Sequence, residues 1–114
     1  SVGAEDTFPY DLKEFEEMCE ELEKIARIVH DRLERHNLKG RTITLKIKYH
    51  NFKRVTRSQS LEDGIENLET ITLLAKKLLE GTSLENVRVR LLGISISNFH
   101  DPTTKKDDQL MLDL

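Results

Sequence analysis

Apolar residues recur along this chain at two different periods, and the switches between them mark its elements. Val2, Thr7 and Phe8 ahead of Pro9 suit a short opening strand over Ser1–Phe8, which Pro9 would end. Leu12, Phe15, Met18, Cys19, Leu22, Ile25, Ala26, Val29 and Leu33 then fall on one stripe at three- and four-residue steps. That is the buried face of a long amphipathic helix. Asp11 with Glu14 three residues on predicts its capping-box start, and Asn37 and Gly40 suit its C-terminal cap. Arg41–Phe52 switches to strict alternation: Ile43, Leu45, Ile47 and Tyr49 point one way, Thr44, Lys46 and Lys48 the other. Asn51 to Lys53 reads as a turn, and Val55–Leu61 as the returning strand of a hairpin.

A second helical stripe follows in Ile65, Leu68, Ile71, Leu74, Ala75, Leu78 and Leu79, opened by Asp63 with Glu66 and closed by Gly81. Val87–Phe99 is the last strand. Val87 and Val89 face the core and Arg88 and Arg90 face outward, but Ile94 and Ile96 have changed phase, which predicts a bulge near Leu91–Gly93. The order β-α-β-β-α-β predicts an α+β fold: a four-stranded antiparallel sheet with both helices on one face. The other face is left to solvent or a ligand. Residues 1–100 form the domain, 101–108 a polar flexible tether, and 109–114 a separate C-terminal peptide.

Composition narrows what this domain can do. A chain of 114 residues is about one domain. No apolar run approaches the ~20 residues of a membrane span, so no membrane partner is expected. A start at Ser1-Val2-Gly3, without methionine or an apolar leader, suggests a fragment cut from a longer protein. One cysteine, Cys19, fits a reducing compartment, and in the helix stripe it reads as core rather than nucleophile. His30, His36, His50 and His100 are scattered, so no metal set is expected.

The net charge of -3 hides a polarised chain. Residues 39–58 carry seven cations (Lys39, Arg41, Lys46, Lys48, Lys53, Arg54 and Arg57) and no acid. Acids outnumber bases in both helical segments. Strand alternation puts Thr44, Lys46, Lys48, Arg88 and Arg90 on the helix-free face, with Thr56-Arg57-Ser58 on the hairpin strand between them. Cations at every second strand position stand ~6.6–6.8 Å apart, close to the ~7 Å between successive phosphates. A solvated strand face accounts for the spacing alone equally well. The acid-free run, with carboxylates gathered on the helices behind, favours phosphate. Without Trp, and with Tyr49 on the core side, the face lacks a stacking platform, so a duplex backbone fits better than a single strand. No nucleophile–base pair is apparent. Leu110, Leu112 and Leu114 after a polar spacer suit a short motif docking in an apolar groove, or else an extra edge strand.

Four segments then match a family in order and spacing: Ser1-Val2-Gly3-Ala4-Glu5 with Thr7-Phe8, Lys46-Ile47-Lys48-Tyr49, Thr56-Arg57-Ser58, and Arg90-Leu91-Leu92-Gly93-Ile94-Ser95. Residues 1–100 resemble the little-finger domain of Y-family DNA polymerases, of the bacterial DinB (DNA polymerase IV) type. The tail Gln109-Leu110-Met111-Leu112-Asp113-Leu114 resembles the hexapeptide with which these polymerases dock on the sliding clamp. The resemblance implies a non-catalytic, cytoplasmic bacterial fragment, monomeric and without a cofactor of its own. The family's catalytic carboxylates, and the magnesium its polymerases use, belong to the palm. It implies that Ser1, Val2, Gly3 and Ala4 offer backbone N–H groups to primer–template phosphates, while Thr56, Arg57, Ser58 and Arg90 hold the opposing strand. Gln109, Leu110, Leu112 and Leu114 would contact the clamp. Ala4 and Ser95 stand where some members have basic residues, which implies a grip there that is weaker or rests on backbone groups. The competing reading, without the resemblance, is a ferredoxin-like protein-interaction or small-ligand regulatory module. A phosphohydrolase on this architecture would need an Arg–Asn phosphate loop, which is not found.

Overall fold

The computed structural model of the chain describes residues 1–82, 84 and 87–99. The elements run β1 (Val2–Leu12), α1 (Phe15–Arg35), β2 (Gly40–Tyr49), β3 (Arg54–Ile65), α2 (Leu68–Glu80) and β4 (Val89–Phe99). The β-α-β-β-α-β order and the antiparallel four-stranded sheet are as expected, with spatial order β1-β4-β2-β3. β1 and β2 both run against β4, and β3 and β4 both run against β2. Two β-α-β units are thereby interleaved, each with a strand of the other between its own pair. No described helix is long and apolar enough to cross a membrane.

The core lies between the sheet and the helices. Ile43, Leu45 and Ile47 of β2 and Leu92 and Ile96 of β4 are fully sealed by Met18, Leu22, Ala26 and Val29 of α1 and Ile71, Ala75 and Leu79 of α2. Lys76 Nζ donates to Glu23 Oε2 at 2.7 Å, bridging the helices, and this hydrogen bond holds the Glu23 carboxyl below its usual range. Cys19 packs against the core, and burial pushes its thiol up, away from the reactive thiolate.

Four expectations about boundaries are corrected. β1 does not stop at Pro9. It runs on to Leu12, because β1 is an edge strand and Pro9 falls in the irregular stretch between Thr7 and Leu12, where β1 and β4 are out of register and no ladder N–H is needed. α1 is capped one turn later than expected: Glu14 and Glu17, not Asp11 and Glu14, form the capping box. Leu12 therefore belongs to the strand. Likewise β3 continues through Asp63 to Ile65, and Asn67 caps α2 by accepting from the Thr70 amide at 3.2 Å.

At the other end of α1, Asn37 takes a left-handed φ of 53°, and the Leu38 amide reaches back to the Leu33 carbonyl at 2.9 Å. Gly40 is no part of that cap. It is a glycine because a Cβ there would sit 2.3 Å from Ile96 Cγ2 and 2.7 Å from the Ser97 carbonyl.

The alternation of β2 makes a paired prediction. Leu45→Ala opens a cavity in the sealed layer and lowers unfolding free energy by ~2–5 kcal/mol. Thr44→Ala, one residue away on the other face, costs about 1 kcal/mol or less. Urea denaturation of both variants checks this. Equal losses would mean that the two faces are not distinct.

Candidate nucleic-acid interface

Residues paired across neighbouring strands share a face, so the register defines the open side of the sheet. From β1 it takes Gly3, Glu5 and Thr7; from β4, Ser97, Ser95, Gly93 and Leu91. β2 contributes Thr42, Thr44, Lys46 and Lys48, and β3 contributes Ser60, Ser58, Thr56 and Arg54. The face is a field of hydroxyls and glycines with cations along one end. Thr44 and Ser58 are hydrogen-bonded at 2.8 Å, Thr42 and Ser60 at 2.9 Å. Gly93 lies in its middle, where a Cβ would press to 3.0 Å from Glu5 Cβ. Short side chains there leave a shallow hollow bordered by Ser1, Gly3, Thr44, Lys46, Thr56 and Ser95. Hydroxyls and backbone amides on such a floor donate to phosphate oxygens without reading a base.

Of the expected site residues, Lys46, Lys48, Thr56, Ser58 and Arg90 are brought together on this face. Arg54, opposite Lys48, joins them and was missed; the hairpin register would have found it. The expected bulge exists, but its extra residue is Arg90, since Lys48 pairs with Leu91 while Tyr49 pairs with Val89. The phase slip thus falls ahead of Leu91. Arg90 reaches the open face beside Lys48, both cations lying over the Phe52 ring.

Arg88 is not among the residues that the strand register pairs on this face. It precedes β4 at the end of the sheet, where its amide donates to His50 Nδ1 at 3.1 Å and its carbonyl accepts from the His50 amide at 2.8 Å. Nor does Arg57 project with the lysines. It pairs with buried Leu45, so it points to the helix side of the edge strand, exposed, with its guanidinium on its own neighbour's carbonyl, Thr56 O, at 2.9 Å. β3 is an outer strand rather than one between β2 and β4.

At the N-terminal end, Val2 and Ala4 face the helices and pack against the core, while Ser1 is exposed and Gly3 faces out. The Arg32 guanidinium of α1 donates to the Gly3 carbonyl and ties this segment down.

Three sequence expectations about chemistry are also corrected. The open face is not free of acid: Glu5, from β1, pairs with Lys46 at 2.9 Å, and Asp11 Oδ1 lies 3.9 Å from Arg90 Nε. The acid-free segment is real, but β1 and β4 bring a carboxylate across to it. The face does carry an aromatic, Phe52, 61% exposed. Finally, His30, Asp31 and Glu34 do place ligand atoms within 4.8 Å of one another. They are neighbours on one helical turn, His30 and Glu34 at 3.8 Å, on the side of the molecule opposite the open face. The other acids of α1, Glu16, Glu17, Glu20, Glu21 and Glu23, also stand on the helix side of the sheet. The tail residues Gln109, Leu110, Leu112 and Leu114 and the tether lie outside the described residues.

Comparison with known proteins agrees with this architecture. The pattern of the "impB/mucB/samB family C-terminal domain" matches residues 1–112. DNA polymerase IV of Clostridium perfringens strain 13 is 40% identical over 115 residues, covering all of this chain and 32% of that protein. DNA polymerase IV of Bacteroides fragilis is 39% identical over 98 residues, covering 86% of this chain and 27% of the relative. The chain thus spans about a third of the length of the curated relatives it matches.

Among solved structures, the "complex of beta-clamp processivity factor and little finger domain of PolIV" superposes with a TM-score of 0.73 at 23% identity, over 99% of this chain and 98% of that one. The "insertion ternary complex of Dbh DNA polymerase" gives 0.75 at 19% identity, over 85% of this chain and 28% of that one. Both show the same fold. With the family pattern running through nearly its whole length, the chain belongs to the impB/mucB/samB C-terminal domain family, and the curated relatives it resembles are DNA polymerase IV proteins.

Proposed function

We propose that this domain grips the phosphates of primer–template duplex DNA on the open face of its sheet, without sequence preference. Through Gln109, Leu110, Leu112 and Leu114 it docks a translesion polymerase on the sliding clamp. The observation that carries the first half is the division of the molecule. Lys46, Lys48, Arg54 and Arg90 stand among hydroxyls on one side, and the carboxylate-rich helix α1 stands on the other. Thr44, Thr56, Ser58 and Ser95 supply neutral donors. Ser1 to Ala4, held by Arg32 at the Gly3 carbonyl, supplies backbone amides from the opposite edge. Arg57 acts from the rim of β3, around the edge of the sheet. A grip made only on phosphates tolerates any template, which suits a polymerase that copies damaged DNA.

The second half rests on the tail's resemblance to the clamp-docking hexapeptide. Tethering through a short segment raises the local concentration of the gripping face at the primer end without adding a contact. The domain works as a monomer in a bacterial cytoplasm and supplies holding, while the chemistry and its magnesium belong to the rest of the polymerase.

Four outcomes test this. Duplex binding by the chain is weak, on the order of 10⁻⁴–10⁻⁶ M, and falls roughly 40-fold between 50 and 200 mM salt if about three phosphates are neutralised. Fluorescence anisotropy reads both. The charge reversals Lys46→Glu, Lys48→Glu and Arg54→Glu together abolish binding with the circular dichroism spectrum unchanged; salt-independent affinity would reject the reading. Glu5→Gln releases Lys46 from its pair and strengthens duplex binding about two- to fivefold at low salt; weaker binding would mean that Glu5 orders the site rather than opposing it. For the tail, Gln109→Ala or removal of residues 112–114 eliminates capture by immobilised clamp and leaves duplex affinity as it was. Clamp capture undiminished by truncation would discard the docking role.

A further inference from the structure

Phe52 stands beside the open face, and neither its backbone nor the core explains it. It lies in the turn between β2 and β3, where its amide donates to the Tyr49 carbonyl at 2.9 Å and the Tyr49 amide donates to the Lys53 carbonyl at 2.9 Å. Its φ is 68°, a left-handed conformation that glycine or asparagine adopts more readily and a bulky side chain rarely does. The residue is 61% exposed, so little apolar burial offsets that conformation. What the ring does touch is charged. Lys48 Nζ lies 5.1 Å from its centroid and Arg90 Cζ 5.0 Å. These cations come from different strands, β2 and β4, and Arg90 is the extra residue of the bulge that aims it there.

We propose that Phe52 is a positioning residue for the phosphate grip: its ring holds the Lys48 ammonium and the Arg90 guanidinium side by side on the open face before DNA arrives. The inference rests on the duplex reading above. Two like charges brought close repel each other, and each long side chain loses rotamer freedom when fixed. A shared ring attracts both cations and has already restricted them, so binding a phosphate demands less ordering. A left-handed phenylalanine at an exposed turn is then the signature of a position kept for its ring rather than for its backbone.

The test is a duplex titration at low salt with four forms of the full chain: unaltered, Phe52→Leu, Phe52→Tyr and Phe52→Gly. Expected is a loss of about five- to tenfold for Phe52→Leu, near-full retention for Phe52→Tyr, and for Phe52→Gly the same loss as leucine with a melting temperature unchanged or higher. In a Lys48→Ala, Arg90→Ala background, Phe52→Leu has no further effect. Affinity for Phe52→Leu within twofold of the unaltered chain would overturn the proposal. So would an undiminished leucine effect in the double-alanine background, which would put the ring directly on DNA. If the unaltered chain fails to bind duplex, the proposed function itself falls. The positioning claim is then judged in the free protein, where the Lys48 side-chain protons must show a ring-current shift that Phe52→Leu removes; no such shift overturns it.

Discussion

A pleated strand has two faces, and once two helices seal one of them the other cannot be apolar. In this chain that constraint acts chiefly through β2. Ile43, Leu45 and Ile47 are wholly buried beneath α1 and α2, which fixes Thr44, Lys46 and Lys48 on the outside with no freedom to rotate inward. A one-residue slip would bury two lysines and expose three large aliphatic residues. The same pairing then recruits the neighbours: Gly93, Ser95 and Leu91 from β4, and Arg54, Thr56 and Ser58 from β3. The hydrophobic core therefore also specifies the electrostatic pattern of the opposite surface, and the proposed interface is rigid because the core is.

The surface so produced is suited to holding rather than reading. Its floor is made of glycine, serine and threonine, and its charges sit at alternate strand positions. Glu5 tempers it by occupying Lys46. In the proposed arrangement a moderate grip leaves the domain free to release DNA, with the remainder of the affinity supplied by tethering. Helix α1, rich in glutamate, faces away from any duplex lying on the sheet, so like-charge repulsion favours a single orientation.

Much of this was legible in the sequence because its signals are local. The alternation from Ile43 to Tyr49 and the stripe from Met18 to Leu33 each report one element's own burial, and both hold. The hidden features depend on partners distant in sequence. Pro9 reads as a strand end, yet the strand continues because β1 has only one neighbour and is already out of register with it there. Asp11 and Asp63 have the spacing of helix caps, but strand pairing claims both segments and moves the starts to Glu14 and Asn67. Glu5 meets Lys46 only because β4 lies between β1 and β2, an order that periodicity does not encode. Arg57 looked equivalent to Lys46 until the register set it against Leu45. Phe52 was readable as a turn residue, but its two cations come from β2 and from a bulge in β4.

Amide chemical-shift mapping of the isotope-labelled chain against a short duplex addresses the orientation most directly. The account predicts perturbations at Gly3, Thr44, Lys46, Lys48, Thr56, Ser58 and Ser95, fading with added salt, and silence along the outer faces of α1 and α2. Shifts centred on the helices, with the open face of the sheet unmoved, would contradict it.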